Sequence, residues 1–484
     1  MRLFAPHNRE EDIVVQSAYQ TELNSRRERN RADVVRRTVF LRALKLLGIV
    51  AQPALFYAVW VRYYAAKMAD AYLWRGNLAV AALYGVVLML LTRVYRGYEV
   101  GNLGRQELFA SHVLAQFLTN TLFYGLSFFL CERLVSPLPL LVLYLADMLL
   151  MLILVFAEEQ VYTRLSPRER LTILYRSADD LARLDLLDRF LARYEPAAQL
   201  CVTEYRPSLI DELPDADAVL IVGVDASVRN GIVKDCMEEG IPAFVLPKVG
   251  DILMRSARMD VFSGELLLDV GRPVLNPEYL LAKRCFDVVL SLLGIVLTSP
   301  VMLFTALAIK LQDGGSVLYR QTRLTKDHRE FTVLKFRSMR EDAEGDGVAR
   351  LAEENDDRIT PVGRFIRSCR IDELPQLFNI LSGNMSIVGP RPERPELIEK
   401  YEAELPAFSL RLQVKAGLTG YAQIYGRYNT EPYEKLQMDL LYIGRMSLLE
   451  DLRLMFATVR VLFSRESTQG VDKDAPAEDG FVLK

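Results

Sequence analysis

Hydrophobic run length limits this chain more than any other feature. Four stretches in its first third, 41–62, 77–95, 108–131 and 138–157, approach the roughly 20 apolar residues that a bilayer-crossing helix needs. A fifth, "LSLLGIVLTSPVMLFTALAIK" at 290–310, is equally apolar but carries Ser299 and Pro300 at its middle and bases at both flanks. Hydrophobic residues make up 51% of the 484 and mean hydropathy is +0.12. Both values are high for a soluble chain and point to a membrane protein.

Basic residues set the expected topology. Arg26, Arg27, Arg29, Arg31, Arg36 and Arg37 precede the first run, Arg93, Arg96 and Arg105 follow the second, and Arg164, Arg168 and Arg170 follow the fourth. With bases held in the cytosol, the four runs cross and return, and 1–40 is a basic cytosolic N-terminus. A fifth crossing would export Arg320, Arg323, Lys326, Arg329, Lys335, Arg337 and Arg340, against the same bias. Proline removes a backbone donor and crowds the preceding turn, and a serine hydroxyl satisfies a freed carbonyl. The segment 282–311 is therefore expected to be re-entrant, broken at Ser299 and Pro300; a proline-kinked fifth span is the alternative.

Between these membrane segments, 168–276 reads as a soluble βαβ domain. "LTILY", "AQLCVTEY", "AVLIVGV" and "PAFVLP" alternate with polar helical stretches, the pattern of a Rossmann-like parallel sheet. The turn after the first strand, "YRSADDLARL", has no glycine, so the close approach of a dinucleotide pyrophosphate is not supported. Net charge is -3, which gives no pull toward nucleic acid. The five cysteines have no metal-ligand spacing and read as reduced thiols.

The chemistry-bearing residues lie in the last 200 positions. In "VGRFIRSCRIDELPQLFNIL" the apolar residues Leu374, Leu377, Phe378 and Leu381 recur at helical spacing, and Pro375 suits a first turn. Asp372 and Glu373 thus sit near a helix N-terminus, downstream of Arg364, Arg367 and Arg370. Two carboxylates, three cations and a helix start can hold a phosphate and a hard divalent ion; Asp372 as a mere N-cap is the plainer alternative. "VLKFRSMR" reads as a strand presenting Lys335 and Arg337 on one face, and "SIVGPRPERPEL" fixes Arg391 between Pro390 and Pro392.

From about Lys283 to Phe463 the chain resembles the bacterial sugar transferase domain of polyprenol-phosphate hexose-1-phosphate transferases, the monotopic phosphoglycosyl transferases. "KRCFDVVLSLLGIVLTSPVMLF", "LYRQTRLTKDHREFTVLKFRSM", "DDRITPVGRFIRSCRIDELPQLFNILSGNMSIVGPRP" and "GLTGYAQIYGR" occur in the family's order. The four preceding spans and the middle domain resemble the family's large form, which starts O-antigen, capsule or exopolysaccharide units. The resemblance implies a UDP-sugar donor, galactose or glucose, an undecaprenyl phosphate acceptor, release of UMP and a Mg2+ cofactor. It also implies that Asp372 is the nucleophile, that Glu373 is the metal ligand, and that Lys335, Arg337, Arg367 and Arg391 handle substrate phosphates. A homodimer in the bacterial inner membrane, with the catalytic domain 312–464 on the cytosolic face and a flexible tail at 465–484, completes the expectation. The sequence departs from the family pattern at "SCR", just before the acidic pair.

The alternative of another class is a membrane sensor or assembly scaffold for polysaccharide synthesis. Retention of the acidic pair and the basic clusters favours the enzyme. A carboxylate is already ionised at neutral pH, so no catalytic histidine is needed, and His7, His112 and His328 lie outside these clusters.

Overall fold

Each of the four N-terminal apolar runs falls on a long helix in the computed structural model: Arg9–Tyr63 (α1), Trp74–Val94 (α2), Arg105–Cys131 (α3) and Leu138–Leu165 (α4). The structure describes residues 9–462 except 69–73, 167–168, 183, 185–187, 192–193, 207–208, 210–215, 272–276, 341–355, 357 and 427–429, and the side chains of these from 32 to 459 except 182, 188 and 189. The expected tail 465–484 lies outside the described residues. The chain packs as two compact units, 1–246 and 247–484.

In the first unit the four helices turn large side chains inward. Phe56 stacks on Tyr84 with ring centroids 3.9 Å apart, and Phe123 meets both edge-on. Trp60 donates to Asn77 at 3.1 Å, Tyr84 to Asn120 at 2.8 Å, and Gln116 to the fully buried Asp147. Outward-facing Leu83, Leu90, Leu141, Leu145 and Leu149 are all exposed, as side chains solvated by lipid would be. α1 starts well upstream of its apolar run, because the Glu-, Gln- and Arg-rich lead-in contains no helix breaker.

The rest of this unit is a parallel sheet of four strands in the order β2-β1-β3-β4. In chain order it runs Glu169–Tyr175 (β1), Ala178–Ala182 (α5), Asp188–Leu191 (α6), Tyr194–Cys201 (β2), Ala218–Val222 (β3), Ala226–Glu238 (α7) and Ala243–Val245 (β4). Every residue of β3 is buried, as expected of a central parallel strand covered on both faces. Gly223, at φ +70, closes β3 against Asp180, whose carboxyl lies 2.1 Å from where a Cβ would stand. The turn is thus filled by the chain's own carboxylate.

The second unit opens with Val249–Ser256 (α8) and the hairpin Arg258–Phe262 (β5) and Glu265–Asp269 (β6). Val249, Ile252 and Leu253 of α8 pack on this unit's core, so α8 is built with the downstream chain. Pro277–Asp313 (α9) follows. It is one helix through Ser299 and Pro300, so the break expected there does not interrupt it; Pro300 has no N–H to offer Val296 O, and Ser299 Oγ donates to that carbonyl at 2.8 Å instead. Leu297, Leu303 and Phe304, at the middle of α9, are 68–71% exposed.

The remaining elements are Leu318–Leu324 (β7), Glu330–Phe336 (β8), Pro361–Ser368 (α10), Gln376–Leu381 (α11), Ser386–Val388 (β9), Pro395–Glu404 (α12), Gly417–Thr419 (β10), Tyr421–Tyr425 (α13), Pro432–Ile443 (α14) and Leu448–Leu462 (α15). β7 and β8 form an antiparallel hairpin, and β9 and β10 pair in parallel. The β9–β10 junction demands glycine, since a Cβ on Gly417 would meet Gly389 N at 2.1 Å. The core joins Phe331 and Val333 of β8, Ile380 of α11, Leu436 and Leu440 of α14, and Leu454 of α15. α15 is therefore a packing helix.

Both ends of α9 are tied to this same unit. Near its start, Arg284 donates to Ile380 O and Leu381 O at 2.7 and 2.8 Å, and Lys283 pairs with Asp451 at 2.7 Å. Near its end, Ile309 packs with Phe336 and Ile366, and Asp313 pairs with Arg337.

Candidate active site

The acidic pair is set by a reversal of the chain. α10 starts at Thr360, whose hydroxyl accepts from Gly363 N at 2.9 Å, an N-cap followed by Pro361 at the first position. After α10, Arg370 takes the left-handed conformation at φ +53, which costs a non-glycine residue about 1 kcal/mol. This turn sends Ile371, Asp372 and Glu373 into a single 3-10 turn leading to α11. The N-cap of α11 is Pro375 and that of the 3-10 turn is Arg370, so Asp372 caps neither.

Glu373 is 9% exposed and caged by cations. Its Oε1 accepts from Lys335 Nζ of β8 and from Arg391, each at 3.0 Å, while Arg370 stands 3.8 Å from Oε2. Burial alone would disfavour its charge, but Lys335, Arg391 and Arg370 outweigh that and hold the carboxyl far below the usual carboxylate range. Asp372 goes the other way. Burial and the adjacent Glu373 charge push it up to about 6, against the pull of Lys335, Arg367 and Arg391. Two neighbouring carboxylates are thus driven apart, one locked as an anion and the other titrating just below neutrality.

Arg391 is presented by a stiff segment. Gly389 N donates to Thr419 O at 2.9 Å and Gly417 N to Pro390 O at 2.8 Å. From behind, Arg411 donates to Arg391 O at 2.9 Å and Arg323 to Pro392 O at 3.2 Å. Arg411 is itself buried against Asp439 at 2.8 Å, and burial, countered by Arg411, raises Asp439 to about 6.

The structure therefore brings Asp372, Glu373, Lys335 and Arg391 together, with Arg367 half-buried beside them. It separates two other expected residues. Arg337 turns away from Lys335 to pair with Asp313 at the end of α9, and it is 7% exposed. Their shared face is lost because β8 ends at Phe336. Arg364 is exposed on α10. In the sequence Arg370 reads only as one of three periodic bases, yet it is a member of the cage. Arg411, Asp439 and Arg323 gave no local signal, being scattered over more than a hundred positions.

The carboxylates are also the groups at this site that could take a divalent cation. Among the described residues no group of three or more His, Cys, Asp or Glu assembles, and the acidic donors at this site are the adjacent Asp372 and Glu373. Glu373 Oε2 stands 3.8 Å from Arg370, a looser ion pair than the two at Oε1. That donor set suits magnesium, which keeps waters and takes one or two carboxylates together with substrate phosphates.

Comparison with known proteins bears on this arrangement. Residues 278–465 match the family model described as bacterial sugar transferase. The chain is 34% identical over 56% of its length to the UDP-N-acetylgalactosamine-undecaprenyl-phosphate N-acetylgalactosaminephosphotransferase of Aeromonas hydrophila, covering 65% of that protein. It is 40% identical over 44% of its length to the UDP-glucose:undecaprenyl-phosphate glucose-1-phosphate transferase of Escherichia coli (strain K12), covering 47%. With the protein of the same description from Caulobacter vibrioides it shares 42% identity over 42% of its length, covering 77% of that relative. The match thus spans about half to two thirds of the first two relatives and most of the third.

Proposed function

The chain belongs to the bacterial sugar transferase family, and on that premise we propose that it transfers a hexose 1-phosphate from a UDP-sugar to undecaprenyl phosphate, starting a surface polysaccharide. The observation that carries this reading is the split pair. Asp372 is half-buried and ionisable near neutral pH, beside a Glu373 that is locked as an anion by Lys335, Arg391 and Arg370.

In this mechanism a carboxylate oxygen of Asp372 attacks the phosphorus that bears the sugar. The bond from that phosphorus to the bridging oxygen breaks, and UMP departs with the electron pair, leaving an aspartyl-phosphosugar. An oxygen of the lipid phosphate then attacks the same phosphorus, and the Asp372 carboxylate is released. Arg367 and Arg391 face the anionic phosphates, where fixed cations favour the charge shift of the transition state. Magnesium, held by Glu373, would supply further positive charge to the diphosphate. The reading is tested by product: UMP, and not UDP, is released when the protein, a UDP-sugar, undecaprenyl phosphate and Mg2+ are combined. Galactose and glucose are the sugars to try first. N-acetylgalactosamine comes next, because the relative from Aeromonas hydrophila is named for it.

Acid should quench the reaction. Only the ionised carboxylate attacks, so the rate of UMP release should rise with pH through about 6 and level off near neutrality. Arg367 favours the charged form of Asp372; Arg367→Met should therefore move the acid limb to higher pH. A pH profile with no limb between 5 and 7 would contradict the assignment.

The acceptor is a lipid, and the reading extends to the membrane. A straight helix of 37 residues would be about 55 Å long, more than the ~30 Å of hydrocarbon. Yet both ends of α9 are tied to one unit. This supports a re-entrant α9, bent at Ser299 and Pro300 without losing its helix, with the catalytic residues at the cytosolic face of the inner membrane. Single cysteines beside Lys283 and Arg320 should then react with an impermeant reagent from the same side of sealed vesicles, and reaction from opposite sides would establish a fifth crossing. The parallel sheet, whose strands run from Glu169 to Val245, supports a Rossmann-like reading for that part of 168–276. A homodimer is the expected assembly.

A further inference from the structure

We propose that Asp287, near the start of the membrane helix α9, is a positioning residue for Arg391 and acts through strand β9. For its kinetic consequences the proposal rests on the transferase reading. Its structural basis is the strand edge.

β9 has one strand neighbour, β10, and only part of its backbone faces that way: Ser386 N donates to Ala416 O at 2.9 Å and Gly389 N to Thr419 O at 2.9 Å. The intervening groups, Ile387 N and Val388 O, point to the opposite edge. That edge is buried, so its polar groups need partners. α9 supplies them with side chains one helical turn apart, which share a face. Asp287 Oδ1 accepts from Ile387 N at 3.0 Å and from Ser386 Oγ at 3.1 Å. Lys283 Nζ donates to Val388 O at 3.2 Å while bonding Asp451 at 2.7 Å and Tyr442 at 3.1 Å. Asp287 is 5% exposed and Lys283 9%.

Side chains of a membrane helix thus substitute for a missing strand. The strand they fix leads through Gly389 and Pro390 into Arg391, whose guanidinium lies 3.0 Å from Glu373. Proline on either side of Arg391 leaves the segment little freedom to absorb a shift, so slack at Ile387 is carried to the guanidinium. Arg411 holds the same segment from the other side. Loss of Asp287 should therefore misplace Arg391 without releasing it.

The test uses the full chain in membrane, with D287A, which removes the acceptor, and D287N, which keeps an acceptor oxygen. Turnover of D287A should fall by about tenfold to a hundredfold, the cost of an ångström-scale misplacement, and D287N should retain most activity. In an R391A background D287A should cause no further loss, because residues that act through one another are not additive. Amide hydrogen exchange at Ile387 should quicken in D287A and stay slow in D287N. If D287A does not fold, S386A, which deletes one of the two donors, should give a smaller loss that also vanishes in R391A. The proposal is overturned if D287A costs the same factor with and without Arg391, or if exchange at Ile387 is unchanged. Should wild type release no UMP from any UDP-sugar, the transferase reading falls, while exchange still decides whether Asp287 holds the strand.

Discussion

Asp372→Asn should abolish the covalent intermediate and lower turnover by several orders of magnitude, each tenfold being about 1.4 kcal/mol of barrier. The amide keeps the size of the side chain but offers no anionic oxygen to phosphorus. Because Asp372 caps neither the 3-10 turn nor α11, the substitution removes no helix cap and the protein should remain folded. Incubation with a UDP-sugar labelled in the β-phosphate, without lipid acceptor, separates the outcomes. Wild type should retain label on protein and release a matching amount of UMP, and the variant should do neither. Label retained by the Asn variant would move the nucleophile elsewhere.

Glu373→Gln should lower turnover by about a hundredfold to a thousandfold, in the range of losing one electrostatic partner of a reacting centre, by a different route. The neutral amide still accepts a hydrogen bond but no longer balances Lys335, Arg391 and Arg370. Weaker cation binding should follow, so excess Mg2+ should restore part of the activity here and none in the Asp372 variant. The Glu373 charge also helps hold Asp372 up near 6. Its removal should shift the acid limb of the residual activity to lower pH, whereas a limb that stays put would show the two carboxylates to be uncoupled.

Features carried by short-range patterns were legible in the sequence. The four N-terminal helices follow from run length, and β1 to β4 from short apolar runs between turns. The acidic pair and Arg391 were legible because proline and helical spacing confine them locally. What the sequence hid depends on contacts between distant segments. Lys335 and Arg337 look equivalent on a strand, but Arg337 is taken by Asp313, 24 positions away and at the end of another element. Arg370 reads as one base in a periodic series, and only its left-handed backbone turns it toward Glu373. Asp287 and Lys283 sit in an apolar helix, where their partners, 99 to 168 positions downstream, have no sequence signature. The attachment of α8 to the downstream core was equally hidden, since an eight-residue helix has too short a pattern to reveal which core it covers.

A donor carrying one label in the sugar and another in the β-phosphate tests the transferase reading most directly. After reaction with undecaprenyl phosphate and Mg2+, the lipid fraction should hold both labels in equal amounts and the released nucleotide should be UMP with neither. Sugar label alone in the lipid, with the phosphate label leaving as UDP, would contradict phosphosugar transfer and the role assigned to Asp372.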